Sequence, residues 1–322
     1  MFKDFAELAD FGILGLNERN AVYTLGYNQR GFFPLVDDKA QTKALCIKAG
    51  VAVPPLYGTI EIERQIRDLA KLLGANTEFV IKPAHGCGGD GIIVIKGRVK
   101  DKYRKANGTL LTLPKLEHHI SNVLSGMYSL GGGADVALIE YCVNSDPVFE
   151  SISYQGVPDI RIIVLLGVPV MAMARLPTRM SDGKANLHQG ALGVGVDLAT
   201  GITQSAVLFN NIVTEHPDTA NQVTGIQIPD WKTLLELSSQ CYDIFKLGYL
   251  GVDIVLDKDK GPLLLEVNAR PGLNIQIANR AGLLPRLHLI EKSAETLFDV
   301  QKRVDFAIQH FQAALPNSKT VN

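Results

Sequence analysis

Asp253, Glu266 and Asn268 are oxygen-bearing side chains set among Val, Leu and Ile, in Gly251-Val252-Asp253-Ile254-Val255 and Leu264-Leu265-Glu266-Val267-Asn268. Residues two apart in a strand point to the same face, so Glu266 and Asn268 share one. If the two segments pair, Asp253 can join them and three oxygen ligands converge. Magnesium takes oxygens from few side chains and completes its shell with water and phosphate. Carboxylates in so apolar a setting are costly without a cation. The alternative is an ordinary hairpin with polar edge residues.

Lys82 follows the apolar run Val80-Ile81 and opens a loop holding Gly86, Gly88, Gly89 and Gly91. Glycine lets backbone N–H groups approach phosphate oxygens, and a lysine beside them adds a compact charge. The pattern is not a P-loop, which ends in Gly-Lys-Ser/Thr and runs into a helix. A glycine-rich turn is the alternative. Cys87, inside the loop, reads as a spacer. Arg161 and Arg175 stand at strand ends, where guanidinium groups suit phosphate or carboxylate; surface salt bridges are the alternative. Asn186 and His188 lie in a glycine-bounded polar loop and, with Lys184, are candidate substrate contacts.

These groups need elements to position them. Helical spacing runs from Asp38 to Ala49, with Gly50 as the stop. A helix is expected over 60–73, capped by Thr59, with Ile62, Ile66, Leu69, Leu72 and Leu73 on one face and Gly74 at its end. Residues 1–38 read as irregular. Strands are expected at 79–81, 92–95 and 136–143, a helix over 115–130, and Gly131-Gly132-Gly133 as a break. Residues 160–166 and 168–175 form a hairpin turning at Gly167. Residues 176–195 read as a loop over a site. Pro229-Asp230 starts a long helix, 249–256 pairs with 263–267, and the last forty residues are helical with a polar tail. The fold class is α+β, or mixed α/β.

The 322 residues are enough for a large core, and 46% apolar with 20% charged residues excludes a disordered body. A net charge of −1 gives no basic field for nucleic acid. The basic run Lys96 to Lys105 reads as an exposed hairpin or as a docking patch. Cys46, Cys87, Cys142 and Cys241 are too scattered for a metal pair and fit a reducing compartment. The N-terminus has no signal-peptide pattern, and no apolar run reaches the roughly 18–20 residues of a membrane span. A cytoplasmic location is expected.

Six segments in order resemble the ATP-grasp superfamily, and within it the α-L-glutamate ligase-like proteins related to ribosomal-protein-modifying glutamate ligases. The likeness covers residues 38 to about 285. It implies two α+β subdomains clasping ATP: 1–37 a short N-terminal segment, 38–143 the N-terminal subdomain with flap and hinge, and 144–322 the C-terminal subdomain with the metal site. It implies Lys39 and Lys82 on ATP phosphates, with His85, Gly86, Gly88, Gly89 and Gly91 as the flap. Glu140, Tyr141, Cys142 and Val143 would form the hinge, whose backbone meets adenine and whose acid meets ribose. Asp253, Glu266 and Asn268 would hold Mg2+ or Mn2+, two ions in all.

Typical members have a substantial N-terminal domain, of which little stands before Asp38 here, so a partner protein or a second copy could complete the site. D-alanine ligase relatives carry arginine two residues before the metal aspartate, where this chain has Gly251. Arg161, Arg175 and Arg270 are the candidates to stabilise charge in its place. The implied activity joins a carboxylate to an amine, from small-molecule or peptide substrates, through an acyl-phosphate. A kinase, a thiol ligase and a nucleotide-binding regulatory protein are the alternatives.

Overall fold

Two antiparallel sheets carry Lys82, Glu140, Arg161, Arg175, Asp253, Glu266 and Asn268, and a helix and loops carry the other candidates. The computed structural model describes residues 11–312 apart from Cys87, Leu130 and Asn210. The expected polar tail and the first ten residues lie outside the described part. The smaller sheet holds β1 (Leu56–Ile60), β2 (Glu78–Pro83), β3 (Ile93–Val99), β4 (Lys102–Lys105), β5 (Leu110–Leu111) and β6 (Ala137–Glu140), in the order β1-β6-β2-β3-β4-β5. The larger holds β7 (Asp159–Leu165), β8 (Val168–Leu176), β9 (Leu192–Val196), β10 (Thr203–Leu208), β11 (Asn211–Val213), β12 (Tyr249–Asp257) and β13 (Gly261–Asn268), in the order β11-β10-β9-β8-β7-β12-β13.

The helices are α1 (Lys39–Lys48), α2 (Leu69–Leu73), α3 (Leu113–Leu124), α4 (Trp231–Phe245), α5 (Ile275–Asn279), α6 (Leu284–Ser293) and α7 (Val300–His310). Asp38 is extended and its carboxylate accepts from the N–H groups of Ala40 at 2.8 Å and Gln41 at 3.2 Å, which caps α1. Gly50, at φ +73°, stops it. α3 lays Leu116, Ile120 and Val123 on Phe79, Ile81, Ile95 and Ile139 of the smaller sheet. α4 buries Leu234, Leu235, Cys241 and Phe245 against the larger one, whose strands β7 and β12 are buried along their whole length. Within the expected unit 38–143, α1 joins the core of the larger sheet through Cys46, next to Val51.

Three local expectations are corrected. Thr59 is not a helix cap, because 56–60 forms β1, and the pairing of Ile60 with Ala137 buries Ile60 completely. Helix begins only at Glu63, as a 3-10 turn to Asp68 followed by α2, and leaves Ile62 57% exposed. Residues 16–37 are short helical turns rather than irregular chain. The polar loop after Leu176 ends at Leu192, where β9 begins. The basic run is a β3–β4 hairpin turning at Lys100, at φ +55°. No helix among the described residues is long and apolar enough to cross a membrane.

Candidate functional site

Strand register gathers the charged residues of the larger sheet on one face. Asp253 stands opposite Arg161 on β7 and opposite Glu266 on β13. Asp159, two residues before Arg161, stands opposite Arg175 on β8. Directly opposed residues of antiparallel strands share a face, and so do residues two apart. Asp159, Arg161, Arg175, Asp253, Glu266 and Asn268 therefore line the same side.

Asp253 is the centre of that row. Arg161 donates to both its carboxylate oxygens, with Nη2 to Oδ2 at 2.6 Å. Arg175 also reaches Oδ2, at 2.8 Å, while it grips Asp159 in a second two-bonded pair. Burial alone would raise the Asp253 pKa, but Arg161 and Arg175 outweigh it and hold the group below its ordinary value. Asp159, fully buried with a shared arginine, is pushed up to about 6 by burial and by the Asp253 charge, which Arg175 only partly offsets. The three expected metal ligands lie on this face, with Asp253 1% exposed and its oxygens bonded to guanidinium groups. Glu266 is a third exposed, and Asn268 Nδ2 donates to Asp253 at 3.4 Å.

α1 carries two lysines one turn apart, Lys39 and Lys43, so both lie on one helix face. Lys39 Nζ donates to the carbonyl of Gly86 and lies 3.5 Å from Glu266 Oε1. Lys43 is buried, donates to the carbonyl of Pro54, and sits 3.0 Å from Glu140 Oε2, off the hydrogen-bonding line. Lys82 pairs with the other oxygen of Glu140. Burial would raise the Glu140 pKa, but the Lys82 and Lys43 ammoniums win and lower it. Glu140 is thus 3% exposed and holds Lys82, which corrects the expectation of an acid turned toward a ribose.

The glycine loop folds over this lysine face. Gly88, Gly89 and Gly91 have φ of +65°, +82° and +73°, a region that other residues enter at a cost. A side chain on Gly86 would collide with Pro83, 2.3 Å from its Cβ position. His85 is clamped from behind: Nδ1 is 2.8 Å from Asp135 Oδ1 and Nε2 is 3.6 Å from Asp38 Oδ2. Asp135 also accepts from Ser129 Oγ and the Val136 N–H, which, with His85, outweigh burial and lower its pKa. The polar loop after β8 comes up to meet the glycines. Lys184 Nζ is 3.6 Å from Asp90, Asn186 approaches Gly88, and Gln189 Nε2 donates to the Gly88 carbonyl at 3.5 Å. His188 is exposed, with its N–H bonded to Asn186 Oδ1.

At the hinge, the Tyr141 N–H donates to Pro55 and the Asn144 N–H to Asp257. The Val143 carbonyl accepts from Lys96, so this member of the basic run belongs to the hinge. Cys142 is buried. Val143, Val255 and Leu263 form an apolar cluster with Tyr141, Val157 and Leu265 packed against it. Arg270 stands apart from the Arg161–Asp253–Arg175 group. Its guanidinium covers the Phe33 ring at 4.6 Å.

A glycine flap, paired lysines from a helix and a strand, and a Glu-x-Asn strand facing them occur here in one arrangement, and residues 18–292 match the sugar-transfer associated ATP-grasp family. The chain belongs to that family. Its two-sheet clasp is the ATP-grasp fold. No curated protein matches the chain. Among solved structures, this ATP-grasp chain is similar to the ligase PsnB complexed with minimal precursor, at 15% identity and TM-score 0.44 over 81% of this chain and 60% of that one. It is similar to the D-cycloserine synthetase DcsG at 14% identity and TM-score 0.46, covering 84% and 73%. It is similar to the L-amino acid ligase from Bacillus licheniformis at 13% identity and TM-score 0.44, covering 82% and 48%. The chain thus spans about six-tenths of PsnB and about half of the L-amino acid ligase.

Lys43, Asp135 and Asp159 contact the candidate residues Glu140, His85 and Arg175 and escaped sequence reasoning. Lys43 had a signal, being four residues from Lys39 on the same helix. Asp135 had one too, as a single acid between a glycine run and an apolar strand. Asp159 was visible only as the residue before Ile160-Arg161.

Proposed function

We propose that this protein is an ATP- and magnesium-dependent carboxylate–amine ligase. The observation that carries the reading is the convergence of Lys39, the glycine flap and Glu266 at one place, with Lys82 held ready by Glu140. The clasp divides at the hinge, 38–143 against 144–322, with α1 crossing to the larger core and 1–37 as a separate segment.

The residues present fit the nucleotide and its metal. Lys39 and Lys82 suit phosphate oxygens, the three left-handed glycines expose backbone N–H groups, and the apolar hinge cluster suits a flat base. Glu266 and Asn268 would hold magnesium, which needs only one or two protein oxygens beside phosphate. The metal would supply charge that bridges the triphosphate, and the number of ions is proposed as two. Asp253 contributes by fixing Arg161 and Arg175.

The chemistry has two steps. A substrate carboxylate oxygen attacks the γ-phosphorus and ADP leaves, giving an acyl-phosphate. The amine nitrogen then attacks the acyl carbon, the C–O bond to phosphate breaks, and the amine loses a proton as the amide forms. Lys39 and Lys82 orient the triphosphate, and Arg161 and Arg175 place fixed positive charge behind the sheet face where negative charge develops. Lys184, Asn186 and His188 are proposed to meet the substrate where their loop adjoins the flap. Glutamate, free or on a peptide, is the proposed carboxylate donor, on the motif resemblance.

The test is ADP release with ATP and magnesium against a panel of carboxylate–amine pairs, with Glu266→Ala as control. Release that needs both partners, yields a product lighter by one water than their sum, and vanishes in the control supports the ligase. A phosphorylated product from one partner alone would replace it with a kinase.

A further inference from the structure

The basic run from Lys96 to Lys105 holds six cations and one acid, in a chain whose net charge is −1. β3 and β4 fold it into a hairpin with Arg98 opposite Tyr103 and Val99 opposite Lys102, and β5 extends it with Leu110 opposite Arg104. Directly opposed residues share a face, and so do residues two apart. Tyr103 and Leu111 turn to the core side, where the Tyr103 ring meets Phe79 edge-on at 5.5 Å. Val99, Lys102, Arg104 and Leu110 therefore share the other face.

All four are exposed, Val99 by 45% and Leu110 by 42%. Arg104 Nη2 donates to the Lys96 carbonyl at 3.2 Å, so its guanidinium lies along the strands with donors left over. Lys100 forms the turn next to Val99 and adds a third cation at the rim. Arg98 is drawn to the opposite side, over the Tyr103 ring at 5.5 Å. A cavity of about 290 Å³ beside the hairpin is lined by Arg98, Tyr103, Leu73 and Leu113, and so belongs to that opposite side. Cations alone would guard the edge of a sheet against pairing. They do not account for two aliphatic side chains left bare between them on one face.

We propose that this face docks the protein peripherally on an anionic lipid surface. Headgroups supply the negative charge, and the acyl carbons just beneath them take Val99 and Leu110. The stems of Lys102 and Arg104 lie along that apolar layer with their charged ends among the headgroups. An acidic peptide would satisfy the cations but needs a groove for its side chains, and the cavity lies on the opposite side. The docking is independent of the ligase reading, because none of the four side chains belongs to the nucleotide site.

The experiment sediments the full chain with vesicles of phosphatidylcholine alone and of phosphatidylcholine with about a third phosphatidylserine, at about 0.1 M and about 0.5 M salt. The wild type is expected to bind the phosphatidylserine vesicles at low salt and to leave them at high salt. The double variant Lys102→Glu, Arg104→Glu is expected to bind them at least about tenfold more weakly. The double variant Val99→Ser, Leu110→Ser is expected to lose about threefold or more while keeping the salt dependence. Urea midpoints of both variants stay near the wild-type value, since all four side chains are exposed. Absence of binding to the phosphatidylserine vesicles at low salt overturns the proposal, as does binding that the charge reversal leaves unchanged. Equal binding to both kinds of vesicle also overturns it. Salt-sensitive binding of polyglutamate by the wild type, without vesicle binding, replaces the lipid with an acidic protein partner.

Discussion

Lys39 Nζ lies 3.5 Å from Glu266 Oε1, which joins the first turn of α1 to the edge strand of the larger sheet. The same ammonium holds the Gly86 carbonyl. One side chain thus links helix, glycine loop and the strand of Glu266.

That link adds little to stability. Both side chains are partly exposed, and such pairs contribute about 0–1 kcal/mol. Lys39→Met should therefore leave the urea midpoint nearly unchanged while ADP release falls about 100-fold or more. Comparable losses of stability and activity would show that Lys39 holds the fold instead.

Glu140 is the counterpart case. Removing its charge leaves Lys43 and Lys82 buried without a carboxylate, a change that costs about 3–5 kcal/mol. Glu140→Gln should lose that much in denaturant unfolding, and adding Lys43→Met should recover part of it. Wild-type stability in the single variant would break the account of the triad.

Glu140 also sets an acid limb. Its folded pKa is lowered, so its contribution is complete above the unfolded value, about 4.3, and is lost as pH falls through the folded value. Stability measured from pH 5 downward should fall less steeply in Glu140→Gln than in the wild type. Parallel slopes would contradict the lowered pKa.

Asp159 works with the opposite sign. Its folded pKa is raised to about 6 against about 3.9 unfolded, so between those values the folded state binds the extra proton. Its contribution to stability therefore declines as pH rises from about 4 to about 6 and is flat beyond. The stability gap between wild type and Asp159→Asn should narrow over that window in urea titrations. A gap that widens with pH would reverse the assignment within the Asp159–Arg175–Asp253 group.

Gly251 is held in a close approach. A Cβ there would sit 2.5 Å from Pro271 Cβ and 3.5 Å from Arg161 Cδ. A side chain at this position would press on Pro271, and the guanidinium of Arg161 reaches Asp253 from the neighbouring strand. Gly251→Ala should cost about 1–3 kcal/mol by overpacking, read as a lowered Tm. An unchanged Tm would mean that the turn at Pro271 yields freely.

What could be read from the chain itself was local. Asp38 caps the helix that follows it, Gly50 stops it, and the alternation through Glu266 and Asn268 sets which face they share; each depends on neighbours a few residues away. The motif order was enough to indicate the clasp, because each motif carries its own turn or strand with it. The partners of the charged groups were not legible. Nothing near Lys82 in the chain announces that its partner is Glu140, 58 residues on, and nothing near Asp253 announces the two arginines that reach it from β7 and β8. Thr59 looked like a cap until pairing with β6 drew its segment into a sheet. Only the tertiary structure decides such questions, because strand register brings together residues far apart in sequence, and a buried charge is held by whichever opposite charge that register delivers to it.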